Sequence, residues 1–314
     1  MPSSTLPIPM LSILIPVFNY DCSQLVATLA RQGEKLGALG LANYEIILAD
    51  DCSTDPQTIK KNLAACAGCK SCRYLAQNER QGRARNRNAA IRVATGNWLI
   101  IVDCDALPPD ELFLRRYLDA RDKAPVLVGG LLTPRSAALG CELHHRYELR
   151  ADRYRTLPRR QAQPYARFST FNFMVQREVM QQTLFCSELT EYGYEDTLLG
   201  WQFQQQGIAI AHIANPLIHN GINSNREFLK NTESAMRNLC RLPILHSTVG
   251  PARAARHLQR LHLKKPFFAL FCLFHRAIRH NLLGRYPSLL LFNIYKLGAY
   301  CHWERTLAAN AMPQ

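Results

Sequence analysis

Short, unbroken apolar runs punctuate the first half of the chain, and each is stopped by polar or acidic residues. Leu11-Ser-Ile-Leu-Ile-Pro-Val17, Glu45-Ile-Ile-Leu-Ala49 and Trp98-Leu-Ile-Ile-Val102 do not alternate between apolar and polar. That pattern suits strands buried on both faces, as in a parallel sheet covered by helices. Pro16 has no N–H to give a ladder, so it marks a strand edge or exit. Helical spacing fills the intervals. Leu25, Leu29 and Leu36 share one side of a helix over 23–39, Asp55-Pro56 opens another over 56–65, and a third covers 83–94. A short strand is expected at 72–75. Strand and helix alternating in this way predict parallel order with right-handed crossovers.

The pattern then loosens. It predicts a helix over 110–121, a strand over 126–131 and a basic, histidine-bearing helix over 137–155. A strand over 170–175 follows, then a helix over 197–206 stopped by Gly207 and a strand over 208–213. From about Asn225 only helical periodicity remains. The expected organisation is therefore an α/β domain over 1–224 and a helical extension over 225–314.

Composition narrows the partners. The 314 residues are 47% hydrophobic and 20% charged, as in a globular protein, with a formal charge of +14. Such an excess points to an anionic partner: a nucleotide phosphate, an anionic membrane surface or a nucleic acid. Most of it lies after residue 225, where fourteen Lys and Arg face three Glu. Basic residues there sit beside Phe267, Phe268, Phe271, Phe274, Leu282 and Leu283. Helices of this kind either lie on an anionic bilayer or pack as a bundle against the main domain. The aromatics cluster in apolar runs instead of interleaving with basic residues, and no helix-turn-helix or zinc-finger spacing occurs, so no nucleic acid is expected.

Met1 to Pro9 lacks the basic and apolar regions of a secretory signal, and the apolar block Pro266–Phe274 is too short to span a bilayer. The expected location is cytoplasmic, peripheral on the inner face of the cell membrane if the basic helices touch lipid. Eleven scattered cysteines, an odd number, read as reduced thiols. Cys66-x2-Cys69-x2-Cys72 lacks a further ligand in metal-site spacing and reads as a loop between helix and strand.

The candidate chemistry lies where strands end. Asp50-Asp51, Asp103-Cys-Asp105 and Glu195-Asp196 are acidic clusters, and His219 follows the last. In open α/β sheets, ligands gather beyond the carboxyl ends of the strands. Asp103, Asp105 and His219 offer oxygen and imidazole ligands compatible with Mn²⁺ or Mg²⁺. Asp196, at a helix start, is free to take a proton, and Glu195 to accept hydrogen bonds from substrate hydroxyls. The helix dipole alone also favours acids at such a position.

Between Leu11 and Asn220 the chain resembles the family-2 glycosyltransferases of the inverting GT-A fold. The resemblance rests on an ordered set: Ile15-Pro-Val-Phe-Asn19, Asp50-Asp-Cys-Ser-Thr-Asp55, Gly82-Arg83 with Arg87-Asn88, Asp103-Cys-Asp105 and Tyr192-Gly-Tyr-Glu-Asp196. It implies a Rossmann-like, mostly parallel sheet flanked by helices and a nucleotide-sugar donor, usually UDP-linked. Pro16, Val17, Phe18 and Asn19 would line the nucleotide cleft, Asp51 would accept from the uracil imide, and Arg83 and Arg87 would face the uracil or diphosphate. Asp105 would bind the metal most directly, Asp103 would lie near the ribose or metal, and Asp196 would be the catalytic base. Thr170 and Asn172 would contact the sugar. The acceptor expected is a glycan or a lipid-linked glycan, and the transferred group a hexosyl or N-acetylhexosaminyl unit.

Two departures bear on the product. Gly200-Trp-Gln-Phe203 does not match the cluster typical of processive synthases, and no transmembrane helices are present in the sequence, which favours transfer of a single sugar. A rival reading, a sugar nucleotidyltransferase, would need a glycine-rich basic loop straight after the first strand, where Phe18-Asn19-Tyr20 stands instead.

Overall fold

A computed structural model describes residues 8–189 and 192–310; the first seven and last four residues, spanned by the expected N-terminal and extension boundaries, lie outside them. The apolar runs are strands: β1 (Met10–Val17), β2 (Asn43–Asp50), β3 (Cys72–Ala76) and β4 (Trp98–Val102). The later strands are β5 (Ala106–Leu107), β6 (Val126–Val128), β7 (Leu131–Leu132), β8 (Asn172–Gln176), β9 (Ile210–His212) and β10 (Leu217–His219). Two compact units divide the chain. One comprises 1–132, 155–190 and 199–221, the other 133–154, 191–198 and 222–314.

The first unit holds a seven-stranded sheet in the order β3-β2-β1-β4-β8-β6-β9 and a small sheet β5-β10-β7. Its first four strands are parallel, whereas β8 runs antiparallel to both β4 and β6. The sheet is mixed as well as mostly parallel. Both faces are covered. Leu11, Ile13, Ile15 and Val17 of β1 pack with the helices Ser23–Ala38 and Phe113–Ala120, while Leu14, Ile47, Leu99 and Ile101 pack with Arg83–Val93 and Phe203. This explains the continuous apolar runs, because each strand must satisfy two cores. Pro16 is paired with Ala49 of β2, but the register with β4 ends at Leu14, so the missing N–H falls at the strand exit.

The expected strand over 126–131 is two strands in different sheets. Gly129 and Gly130 break it. Gly130 has φ +103, and a Cβ on Gly129 would stand 2.5 Å from Asn172 Nδ2 and 2.8 Å from Tyr117 Oη. The expected helix over 137–155 is likewise shorter, Glu142–Asp152.

The second unit is helical: Glu142–Asp152, Asn225–Cys240, Gly250–Arg260, Lys264–Leu283 and Leu289–Asn310. Leu143, Leu229, Phe271, Ile278, Leu282 and Phe292 form its core. Ser224 caps Asn225–Cys240 by accepting from the Glu227 N–H at 3.2 Å. Asn225 accepts from the Leu143 N–H at 2.8 Å and donates to Glu142 at 3.2 Å, tying two helix starts together. Among the described residues, no helix is long and apolar enough to cross a membrane.

Candidate active site

The carboxyl ends of β1, β2 and β4 lie side by side, and the loops leaving them are bound to one another. Asn19 follows β1 with φ +48, a conformation asparagine tolerates. Its Oδ1 accepts from the Thr54 and Asp55 N–H groups at 2.7 and 3.1 Å, and its own N–H reaches Ser53 Oγ at 2.8 Å. Phe18 presents a ring face to the Arg80 guanidinium, 4.0 Å from its centroid. Asp50 accepts from the Tyr74 hydroxyl at 2.5 Å. Asp51 is buried and accepts from the N–H groups of Gln81 and Gly82 at 2.7 and 2.9 Å, one on each carboxylate oxygen. A carboxylate oxygen accepts two hydrogen bonds, so Asp51 keeps acceptor capacity while fixing this loop. Gly82, with φ +86, then turns the chain into the helix Arg83–Val93.

That helix delivers two arginines with different roles. Arg87 is 2% exposed and donates to Asp103 Oδ1 at 2.6 Å. Its guanidinium also lies 5.3 Å from the Phe185 ring centroid. Arg83 begins the helix at an exposed position, and its charge acts on Asp105. Sequence reasoning treated the two alike, but one helical turn separates a buried orienting cation from an exposed one.

Asp105 faces His219 at the end of β10, with Nε2 3.3 Å from Oδ2. Burial pushes the Asp105 carboxyl up, but the hydrogen bond and charge of His219, with Arg83, outweigh it and hold the group below the usual carboxylate range. Phe171 meets the His219 ring edge-on at 5.1 Å. The loop after β10 folds back onto this pair. The Asn220 N–H donates to the Asp105 carbonyl at 2.8 Å, and a Cβ on Gly221 would stand 2.5 Å from Asp105 Cγ and 2.7 Å from its Cβ. Gly221 was not singled out from the sequence, because only the tertiary approach reveals it. Tyr20 was also missed; burial, followed by the negative charge of Asp105, pushes its hydroxyl up to about 12, so it remains a proton donor.

The expected three-ligand set of Asp103, Asp105 and His219 does not assemble. Among the described residues no group of three His, Cys, Asp or Glu side chains is placed to hold a metal ion. Asp103 is instead engaged by Arg87, which donates to its Oδ1 at 2.6 Å. The remaining pair, a carboxylate and an imidazole in contact beside a glycine that leaves room for the carboxylate, fits a cation completing its shell with other oxygens.

Thr170 and Asn172 are both buried. Asn172, expected to contact sugar, accepts from the Tyr117 hydroxyl at 2.6 Å and donates to the Asn215 and Gly130 carbonyls at 2.8 and 3.1 Å. Its amide braces the two strands and the Gly129-Gly130 break. β8, which carries Asn172, runs antiparallel in mid-sheet, which periodicity does not reveal.

Glu195 and Asp196 belong to the second unit and open the helix Glu195–Gln205. Glu195 accepts from the Gly193 N–H at 3.1 Å, and Asp196 from the Thr197 N–H at 2.7 Å. Gly193 and Tyr194 have φ of +107 and +68. Asn238 donates to the Gly193 carbonyl at 3.2 Å, and a Cβ on Gly193 would meet the Ala235 Cβ at 2.5 Å. The helix Asn225–Cys240 therefore fixes the turn that presents the two acids. Neither Asn238 nor Ala235 carried any sequence signal of this.

A mixed sheet with β8 reversed, acids at the ends of parallel strands and a carboxylate–imidazole pair together define a GT-A architecture. The sequence model of glycosyl transferase family 2 matches residues 12–184, more than half of the chain, and the chain belongs to that family. Its fold is similar to that of the mannosyltransferase PcManGT from Pyrobaculum calidifontis, with a TM-score of 0.57 at 14% identity, covering 95% of this chain and 86% of that one. It is also similar to S. aureus TarS 1-349, with a TM-score of 0.50 at 14% identity, covering 97% and 93%. In sequence, the chain is 34% identical over 123 residues to the uncharacterized protein y4gI of Sinorhizobium fredii, which is 38% of this chain. It is 28% identical over 98 residues to an uncharacterized glycosyltransferase of Haemophilus influenzae, 31% of this chain. These matches span 13% and 29% of the two relatives' own lengths.

Proposed function

We propose that this protein transfers a single sugar, hexosyl or N-acetylhexosaminyl, from a UDP-linked donor to an acceptor hydroxyl with inversion at the anomeric carbon. The observation that carries the reading is the contact between Asp105 and His219 beside the Arg87-held Asp103, all at the exits of the strands where GT-A donors bind. The solved relatives are in complex with GDP-Man and Mn²⁺ in one case and UDP-GlcNAc in the other, which supports a nucleotide-sugar donor here.

In this reading Pro16, Val17, Phe18 and Asn19 wall the nucleotide cleft, and the spare acceptor capacity of Asp51 takes the uracil imide. Asp103, oriented by Arg87, serves the ribose, and Arg83 serves the diphosphate. Asp105 and His219 would hold Mn²⁺ or Mg²⁺, which when bound would neutralise charge on the departing diphosphate. Asp196 accepts the acceptor hydroxyl proton as that oxygen attacks the face opposite the nucleotide, and Glu195 orients substrate hydroxyls. No covalent enzyme intermediate is required. Residues 1–224 would form the catalytic domain and 225–314 an extension serving a glycan or lipid-linked acceptor, with the protein cytoplasmic and peripheral to the inner membrane face.

The test pairs two variants in donor-binding and transfer assays. Asp105→Ala is expected to abolish metal-dependent UDP binding. Asp196→Asn is expected to bind UDP as the parent does while losing transfer. Near-parental turnover by Asp196→Asn would refute the base assignment.

A further inference from the structure

The helix Lys264–Leu283 is apolar on both sides. Its inward residues Phe271, Ile278 and Leu282 belong to the core of the helical unit. A surface helix normally turns polar residues to water on the opposite face. Here that face carries Leu270, Leu273 and Phe274, the last two 73% and 54% exposed. Leu290, at the start of the next helix, is 69% exposed. Between the two helices runs a groove of about 430 Å³ whose walls include Leu270, Phe274, Leu291 and Ile294.

The charge around this surface is predominantly basic, although Glu233 pairs with Arg279 at 3.2 Å and Glu304 with Lys264. From Ser234 to Trp303 the sequence contains eleven Lys and Arg and no Asp or Glu. Lys265, Arg276 and Arg285 are exposed at the ends and flank of the apolar face, and the Arg285 guanidinium lies 5.8 Å from the ring centroid of the exposed Tyr286. An aliphatic centre, an aromatic and a rim with a net positive charge call for a partner that is apolar within and anionic at its surface.

We propose that this face, the outer side of Lys264–Leu283 with the start of Leu289–Asn310, docks in the plane of an anionic lipid bilayer. Leu270, Leu273, Phe274 and Leu290 enter the acyl region, and Lys265, Arg276 and Arg285 meet headgroup phosphates. Neither helix can cross the bilayer, so the contact is in-plane. A second copy is disfavoured because it would set the same positive rims against each other. A nucleic acid would satisfy the rim but leave the leucines without a partner. The inference deepens the membrane-side part of the functional reading above, but it stands on the helical unit alone.

The experiment is flotation of the full chain with vesicles of phosphatidylcholine alone or mixed with phosphatidylglycerol. Expected is binding to the mixed vesicles at least about tenfold tighter than to phosphatidylcholine, weakening as salt rises. The double variant Leu273→Glu/Phe274→Glu is expected to lose about tenfold or more of that binding, and Lys265→Gln/Arg276→Gln/Arg285→Gln about fivefold or more. Phe274→Trp, which keeps the surface apolar, should show fluorescence quenched by acyl-chain-brominated lipid beyond that of the parent. The proposal is overturned by equal binding to both vesicle types, by no binding, or by absence of the added quenching. It is also overturned by a dimer that the double glutamate variant dissociates, or by tighter binding to DNA than to anionic vesicles. Thermal shift with UDP-sugars on the same samples separates the two readings: donor binding without flotation sinks only the bilayer proposal, and flotation without donor binding sinks only the transferase reading.

Discussion

Gly221→Ala isolates the geometry of the Asp105 carboxylate without removing a candidate ligand. The φ of Gly221 lies outside the left-handed region, so alanine can adopt the backbone, and the effect is steric. The added methyl would stand 2.5 Å from Asp105 Cγ and 2.7 Å from its Cβ. Carbon–carbon contacts settle near 3.5 Å, so the carboxylate must retreat by about 1 Å. Retreat breaks the 3.3 Å contact with His219, a charge-assisted bond of a class contributing about 1.5–3 kcal/mol. Disturbing the support of a metal ligand typically lowers affinity about 10–100-fold. The expected outcome is a fold retained by circular dichroism and a Mn²⁺ requirement for UDP-dependent thermal stabilisation displaced by that factor. Asp105→Ala in parallel gives the limit of complete ligand loss. A Gly221→Ala protein whose Mn²⁺ midpoint stays within about twofold of the parent would refute the argument that this glycine is there to admit the carboxylate.

Three further outcomes follow from the geometry. Arg87→Ala strands Asp103 without its buried cation and is expected to lower stability by about 3 kcal/mol, read from urea unfolding midpoints; a loss under about 1 kcal/mol would mean the pair is no brace. Gly193→Ala adds a methyl at φ +107 against Ala235 and should cost about 1–3 kcal/mol, with partial relief in Gly193→Ala/Ala235→Gly; additive double-variant data would exclude the clash. Burial, followed by the Arg160 charge, pushes the His212 imidazole down to about 4 from 6.5. Its contribution is therefore whole above pH 6.5 and is lost as pH falls towards about 4. Urea midpoints of the parent should fall more steeply over that range than those of His212→Gln, and parallel profiles would refute the assignment.

The order of elements in the α/β part, the acids at the strand exits and the basic helical character after residue 225 are all legible in the residue pattern. Those features are local: a run of Ile and Leu must be buried wherever it ends, and a turn rich in Asp and Ser must follow it. Which of two arginines one turn apart is buried depends on the packed fold, because helix Arg83–Val93 presents one of them to Phe185 and Asp103. The packed fold likewise set β8 antiparallel in mid-sheet, gave the Asn172 amide its bonds to Tyr117, Gly130 and Asn215, and brought Gly221 against Asp105 across more than a hundred residues. The physical reason is the same in each case. Burial and pattern are written one residue at a time, whereas pairing of charges and exclusion of a side chain depend on which distant backbone arrives alongside.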